Sequence, residues 1–474
     1  MTTTADAIGV RVISLWEAVA GELAAGGRFA GLMGTARSDA VLLSVHLADA
    51  AGVSTREIEL PGNSPSYPAL TPVVGAAFWY ERQLHDLFGV VPQGHPRLEP
   101  LVVPHSAPRH VLGPGLFTMP HGPVRSGVME SIEYLVETPG EDIPHLNMRV
   151  FYKHRGIEKR FERLTVTDGV LLAERTEGVA SVAHALAYCH AIEALAAVSE
   201  LPWRAALVRV LHAELERLLG HLDVAVRLCD SAGLAVATAR FGTHKERVAR
   251  LVSRMCGSRF GRGVVVPGGV SGLPLVPGRE VRAELDRLER GITDDARALM
   301  GTASFLDRLR GTGPLRPERA LAHGALGPIG KASGYSDDAR LNRPYDAYAR
   351  LDLGGGFEHR AGDALARLRL RWDEVRQSFD LLRQAVGELD EAGEGPLALP
   401  CEVESGRAVG WAEGAAGEVL YDVRVEGGRV VRCRPRSPSF HNLVLFHEVF
   451  AGDILTDFPF IEASFGLSPA GVAL

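Results

Sequence analysis

The sequence predicts an α+β protein, with a small N-terminal α+β domain followed by a mainly helical domain that carries small β elements near both ends. Three observations lead there. Short β-like runs fill 27–60 ahead of a helical pattern at 74–88. A proline-studded stretch over 92–123 (Pro92, Pro96, Pro100, Pro104, Pro108, Pro114 and Pro120 among them) admits neither a long helix nor a central strand. From Ile157 to Phe260 the pattern turns helical, and strand-like alternation returns only over 400–436. The expected division is 1–91, a linker over 92–123, and 124–474.

Taken in order, 8–25 reads as an amphipathic helix, and Val41-Leu42-Leu43-Ser44-Val45-His46-Leu47 as a strand among Gly- and Asp-containing turns. Residues 62–71 read as a loop, and the helix over 74–88 should end near Gly89. The proline stretch reads as an extended linker lying against the second domain. Alternation over 128–152 predicts two strands joined by a turn at Thr138-Pro139-Gly140-Glu141-Asp142. In 204–222 apolar residues recur at spacings of three and four, with Glu214 and Glu216 near Arg209 and Arg217. Charged amphipathic helices are expected over 279–310 and 364–392. Val419 to Val425 reads as a strand before a Glu426-Gly427-Gly428 turn.

Bulk properties narrow the function. A chain of 474 residues is expected to hold two or three domains. A hydrophobic content of 46%, a charged content of 23% and a net charge of −7 suit an ordinary globular protein and offer nothing to nucleic acid. The five cysteines show no CxxC or CxC spacing, which argues against a structural zinc site or a self-contained iron–sulfur motif. No secretory signal and no run of about 18 apolar residues is present, so membrane association is expected only through partner subunits.

Five segments carry more specific information. Glu81-Arg82-Gln83-Leu84-His85-Asp86-Leu87-Phe88-Gly89, then Gly94-His95-Pro96, reads as a glycine-capped helix end turning into a docking segment; capping and turn chemistry explain His85, Asp86 and His95 better than catalysis. The others are Gly122-Pro123-Val124-Arg125-Ser126-Gly127-Val128-Met129-Glu130, His154-Arg155-Gly156-Ile157-Glu158-Lys159, the stretch from Glu174 to Tyr188, and the stretch from Asp457 to Gly471. The glycines of 259–270 and 327–334 lack the spacing of a nucleotide loop and read as turns and close packing.

In this order the segments resemble a 30-kDa-type subunit fused ahead of a 49-kDa-type large subunit of complex I-like oxidoreductases. The similarity is greatest to the large subunit of formate-hydrogenlyase-type, energy-converting hydrogenases and to hydrogenase-related complexes without the nickel–iron site. It covers 30–110 and 118–474. In hydrogenases the segment matching 174–188 carries RxCGxCxxxHxxA; here Glu177 and Ala180 stand at the cysteine positions, and His184 is kept. Quinone-reducing relatives carry a tyrosine where this chain has Gly178, and a histidine reaching the quinone headgroup where it has Ser126. Arg125 replaces another histidine, and Glu130 matches a proton-relaying glutamate. The second CxxC of hydrogenases is missing from the C-terminal segment.

The resemblance implies a cavity lined by His121, Arg125, Ser126, Gly178, Ala180, His184 and Leu467. It implies Glu130 and Glu177 as candidate proton relays, their carboxyl pKa raised if buried, and Glu81, Arg82, Asp86, Gly89 and His95 as docking residues. Nickel needs soft thiolate ligands, so no metal and no cofactor is expected on this chain. A 4Fe-4S cluster is expected in a partner iron–sulfur small subunit, with a ferredoxin-like subunit and membrane ion-translocating subunits as further partners. A quinone-like molecule is the candidate ligand. The implied role is a peripheral-arm large subunit at the cytoplasmic face of the cell membrane. The alternatives are a non-catalytic coupling scaffold in the same complex, or a quinone-reducing or hydrogenase-type catalytic subunit. Opposite charge also predicts an Arg125–Glu177 ion pair across the cavity.

Overall fold

The first strands form an antiparallel meander that is covered on both faces. A computed structural model, which describes residues 4–62, 65–102, 113–125, 131–356 and 359–474, places β1 (Arg28–Ala36), β2 (Ala40–Asp49) and β3 (Gly52–Pro61) side by side in that order. All of β2 except Asp49 is buried, which is why it reads Val-Leu-Leu rather than alternating. Helix α1 (Thr4–Ala24) adds Val12, Trp16 and Val19 to the core on one face. On the other, Ala30, Met33 and Ala48 meet Leu420 near the C-terminus.

The short β4 (Ser66–Pro68) pairs in parallel with β5 (Val91–Gln93), and between them α2 (Phe78–Phe88) follows a 3₁₀ turn at Gly75–Ala77. Gly89 ends α2 at φ 66°, its N–H reaching His85 O, as the glycine led one to expect. Residues 103–112, with Pro104 and Pro108, lie outside the described residues. The end of the proline stretch differs from the linker reading: Phe117–His121 is β6, the edge strand of a sheet with β7 (Glu133–Thr138) and β8 (His145–Arg149). Pro120 is tolerated there because an edge strand need not use every N–H.

Helices α3 (Ile157–Phe161), α4 (Val166–Ala173), α5 (Ser181–Leu195), α6 (Trp203–Ser231) and α7 (Ala235–Cys256) lead to a two-stranded ribbon of β9 (Val265–Val266) and β10 (Gly269–Val270). The helix expected over 279–310 breaks at Gly301-Thr302 into α8 (Gly278–Met300) and α9 (Ala303–Leu309). The short α10 (Pro317–His323), α11 (Gly327–Ala332) and α12 (Ala339–Asn342) precede α13 (Ala364–Glu391). Leucines of α6 pack with Phe241 and Val248 of α7 and with Leu368 and Phe379 of α13 in one core. Among the described residues no helix is long and apolar enough to cross a membrane.

The C-terminal sheet, β11 (Gly406–Gly414), β12 (Gly417–Glu426) and β13 (Arg429–Arg436), is an antiparallel meander followed by α14 (Pro438–Asn442) and α15 (Phe458–Phe465). Its central strand is inserted between α5 and the N-terminal meander. Val419, Tyr421 and Val423 join the core around α5, while Leu420 faces the meander and Asp422 sits 3.3 Å from His46 Nε2. Glu418 continues the polar face. Its carboxylate takes Arg28 Nη2 at 2.7 Å, Arg343 Nη2 at 2.8 Å and the Arg436 guanidinium, and all four side chains are almost fully buried. Asp337 adds a second acceptor, 2.5 Å from Arg28 and 3.0 Å from Arg343. Despite burial, which opposes ionisation, the three guanidinium groups hold Glu418 far below the usual carboxylate range.

Removing one partner of such a cluster strands buried charge, a loss of about 3–5 kcal/mol. Glu418→Ala should therefore lower the unfolding free energy in urea by that amount. A loss under about 1 kcal/mol, the worth of a surface pair, would show that the cluster does not hold the parts together.

Candidate functional site

Three segments converge behind the C-terminal sheet, and each is fixed by backbone chemistry. Arg155, in the turn before α3, donates to Thr176 O at 2.6 Å and Ala470 O at 2.5 Å, tying the 174–180 loop to the C-terminal segment. Within that loop Glu177 is 2% exposed. Ser437 Oγ donates to its Oε2 at 3.0 Å, and His184 Nε2 lies 3.5 Å from the same oxygen. His184 Nδ1 is 2.9 Å from Tyr421 OH, which contacts Thr176 Oγ1 at 3.2 Å, so Glu177 opens a buried chain of hydrogen-bonding groups.

The C-terminal backbone closes over this carboxylate. A Cβ on Gly471 would stand 2.2 Å from Glu177 Oε2 and 2.4 Å from Ser437 Oγ, so any larger residue there would displace the carboxylate and the hydroxyl. Arg371 of α13 fills the adjoining space, donating to Phe465 O at 3.1 Å; burial pushes its guanidinium down to about 10. What remains between Glu177, Ala180, Arg371 and Gly466 is a void of about 20 Å³, room for about one water.

The expected Arg125–Glu177 pair does not form. Arg125 makes a two-pronged contact with Glu462 of α15, at 2.8 and 2.7 Å, and lies over the Tyr134 ring at 5.1 Å. Tyr134 OH donates to the same carboxylate at 2.8 Å. Glu462 thus offers Arg125 a partner within the hairpin's own neighbourhood, while Glu177 is engaged by Ser437 and His184. His121 packs edge-on to Phe458, and burial, with Arg125 beside it, lowers its pKa. Leu467 packs against the large core. Ser126 and Glu130 lie outside the described residues. The structure therefore gathers Glu177, Ala180 and His184 at one place, and His121 and Arg125 at another.

The residues singled out around α2 latch the segments before and after it onto that helix. Glu81 accepts the N–H groups of Leu70 and Thr71 at 2.7 and 2.9 Å, and Arg82 donates to Glu99 O and Pro100 O. Asp86 accepts from Leu101 N and Val102 N, and His95 stacks on Phe78.

On the far side of the 178–182 turn, between α6 and α7, lies a cavity of about 410 Å³; of the residues expected to line a cavity only Gly178 borders it. Val179, Val182, Leu219, Val226 and Phe260 make much of its wall apolar, and two buried polar side chains one helical turn apart, His212 and Glu216, project into it. Glu216 caps α5 from outside: its oxygens accept from Val182 N at 2.6 Å and Ala183 N at 2.9 Å, because α5 has no side-chain N-cap of its own. Burial favours the neutral acid, the two N–H donors favour the anion, and the nearby Glu177 carboxylate opposes it; burial prevails and pushes Glu216 up to about 8. Burial alone pushes His212 down to about 4, and its Nδ1 has no partner. The signal was a stripe: Val208, His212, Glu216, Leu219, Asp223 and Val226 follow one face of α6, with polar residues where an apolar face is expected.

Comparison with known families matches residues 233–400 and 397–472 to the 49 Kd subunit of the respiratory-chain NADH dehydrogenase, and residues 16–114 to its 30 Kd subunit. The chain belongs to the 49 kDa-subunit family, with a 30 kDa-type domain ahead of it. An NADH-quinone oxidoreductase subunit of Carboxydothermus hydrogenoformans is 32% identical over 353 residues, 73% of this chain and 94% of that one. Formate hydrogenlyase subunit 5 of Escherichia coli is 26% identical over 444 residues, 86% of this chain and 77% of that one. A solved chain of the membrane-bound sulfane sulfur reductase, an archaeal respiratory membrane complex, shares the fold: TM-score 0.70 and 24% identity, with 76% of this chain and 98% of that chain covered.

This 49 kDa-type chain is thus related both to complex I and to hydrogenases, and only the second kinship raises the question of a nickel–iron centre. The residues present do not fit one. Glu177 and Ala180 offer no thiolate, and the Glu177 carboxylate is already engaged. Among the described residues no group of three or more His, Cys, Asp or Glu side chains is placed to hold a metal ion.

The raised Glu216 fixes a sign for pH dependence. The folded state holds this proton more tightly than the unfolded chain, so its contribution is complete below the ordinary value of 4.5 and is lost as pH rises through about 8. His212 acts oppositely and only below its ordinary 6.5. Between pH 6.5 and 8, Glu216→Gln should remove on the order of 2 kcal/mol of the wild-type decline in unfolding free energy. Identical slopes for the two proteins in that window would contradict a neutral buried acid.

Proposed function

We propose that this chain is the large subunit of the peripheral arm of a membrane-bound, ion-translocating redox complex, seated on an iron–sulfur small subunit at the cytoplasmic face of the membrane. In this reading the 4Fe-4S cluster belongs to the small subunit, a ferredoxin-like subunit feeds it, and membrane subunits move the ion. This chain holds neither nickel nor another cofactor. The observation that carries the reading is the closure over Glu177. A chain with 49 kDa-type architecture has its own carboxylate, serine and C-terminal glycine packed where thiolate ligands would be needed, so its part in the complex is not metal chemistry.

What this chain's own residues supply is a buried hydrogen-bonding path. Glu177, His184, Tyr421 and Thr176 form a line of groups able to hold or pass a proton, with Glu177 at the end nearest the 178–180 turn. A second reading is a scaffold that couples a neighbouring cluster to the membrane subunits without binding substrate. The void of about 20 Å³ beside Glu177 admits no quinone-sized molecule and favours it on that side of the turn, whereas the cavity of about 410 Å³ bordered by Gly178 does not.

Affinity purification of the tagged chain from detergent-solubilised membranes of its native host tests the assembly. The expected result is recovery from the membrane fraction with a small subunit that shows a 4Fe-4S signal on reduction. Recovery from the soluble fraction without an iron–sulfur partner would overturn the reading.

A further inference from the structure

A separate cavity of about 350 Å³ opens where α2 and the segment after it face β8, α10 and the 3₁₀ turn at Leu443–Glu448. It shares no residue with the void beside Glu177 or with the cavity at the 178–182 turn. We infer that it is a binding site for a small organic carboxylate with an apolar, ring-sized body, the carboxylate drawn to Arg97, His145 and His447. The inference goes beyond the assembly proposed above and does not need an iron–sulfur partner.

Three observations carry it. The volume falls within the range of ligand pockets, and Phe78, Trp79, Leu146, Met148 and Val444 give the cavity an apolar wall that suits a ring. Glu448, the one carboxylate among the described residues of that wall, is already held by Arg319 in a two-pronged contact. Arg97 has no such partner. Its guanidinium lies over the Phe78 ring, 5.7 Å from the centroid, and donates Nη2 to the neutral Asn147 Oδ1 at 3.2 Å. Its Nε comes only within 3.6 Å of Glu99, beyond hydrogen-bonding range. Among the described residues nothing hydrogen-bonds to Arg97 Nη1 or to the His145 ring.

The electrostatics select a single negative charge. Burial lowers the pKa of His145, and Arg97 adds to this against the opposing Glu137 and Glu99. Desolvation lowers His447 as well, with Arg97 and His145 adding to it against Glu448 and the Val444 carbonyl. Near neutrality both rings are therefore uncharged, and the full charge left without a hydrogen-bonded counter-ion is that of Arg97. A monoanion matches it, a cation is repelled, and a neutral solute leaves it unpaired. The anion's own charge favours protonation of both rings, so binding takes up protons and tightens as pH falls.

Isothermal titration of the full chain tests this with 1-naphthoate as probe and 1-naphthamide as its neutral counterpart, on either side of neutral pH. The expected result is saturable one-site binding of 1-naphthoate, tighter at the lower pH, with the amide weaker by about tenfold or more. Arg97→Gln removes the charge and should weaken 1-naphthoate by about tenfold, the scale of one charge-assisted hydrogen bond. Gly75→Trp should abolish binding, because Gly75 borders the cavity and a Cβ there would meet nothing within 4 Å, leaving the ring free to fill it. No saturable binding to the wild-type chain, an amide that binds as tightly as the naphthoate, or an affinity that does not rise as pH falls overturns the inference even if either variant fails to fold. Unchanged affinity in both folded variants overturns it as well, since the probe would then lie elsewhere. Binding to the free chain that disappears in the assembled complex overturns it in favour of an acidic side chain of a partner as the occupant.

Discussion

The rest of the structure depends on the buried carboxylate of Glu418. Arg28 belongs to the first strand, Arg343 to the turn after α12, and Arg436 to the last strand, and all three guanidinium groups reach one side chain at the start of β12. Burying three arginines is costly, and the cost is offset only while Glu418 and Asp337 are in place. The cluster therefore fixes which face of β12 meets the N-terminal meander. Side chains alternate along a strand, so the opposite face, with Val419, Tyr421 and Val423, must meet α5. Tyr421 in turn sets His184, and His184 lies against Glu177. An ion cluster on one face of a strand thus determines the hydrogen-bonding chain on the other.

Two environments result from this arrangement, one on each side of the 178–182 turn. Around Glu177 the chain has filled space with its own groups: a serine hydroxyl, an imidazole, the Arg371 guanidinium and a glycine backbone packed directly on the carboxylate. Between α6 and α7 it has left space open and placed two groups there in the less charged of their protonation states. Glu216 belongs to both, since it caps the helix that Glu177 precedes and feels that carboxylate's charge. A change of charge at one place is therefore felt at the other without any movement of the backbone.

The α+β class, the glycine stop of α2, the strand-bearing stretches at 27–60 and 400–436 and the helical middle were legible because each rests on local pattern: period, cap and turn chemistry. The family was legible from ordered motifs, above all the stretch from Glu174 to Tyr188. Partners were not. Arg125 and Glu177 carry opposite charges, and the sequence suggested that they attract, but Glu462, 337 residues beyond Arg125, takes the guanidinium. Glu418 gave no local sign that it would meet three arginines from distant segments. Glu216 read as an ordinary charged member of a helix and His212 drew no reading; only the packing of α7 against α6 shows that they face inward. Patterns with a short period can be read from the chain, whereas contacts closed by tertiary packing cannot.

The central proposal is that this 49 kDa-type chain carries no nickel, because Glu177 is engaged by the chain's own hydrogen bonds where a nickel site would need thiolates. Elemental analysis of the intact chain, purified without oxygen from its native host and normalised to protein, tests it most directly. The account predicts nickel far below one atom per chain. One nickel per chain would contradict it.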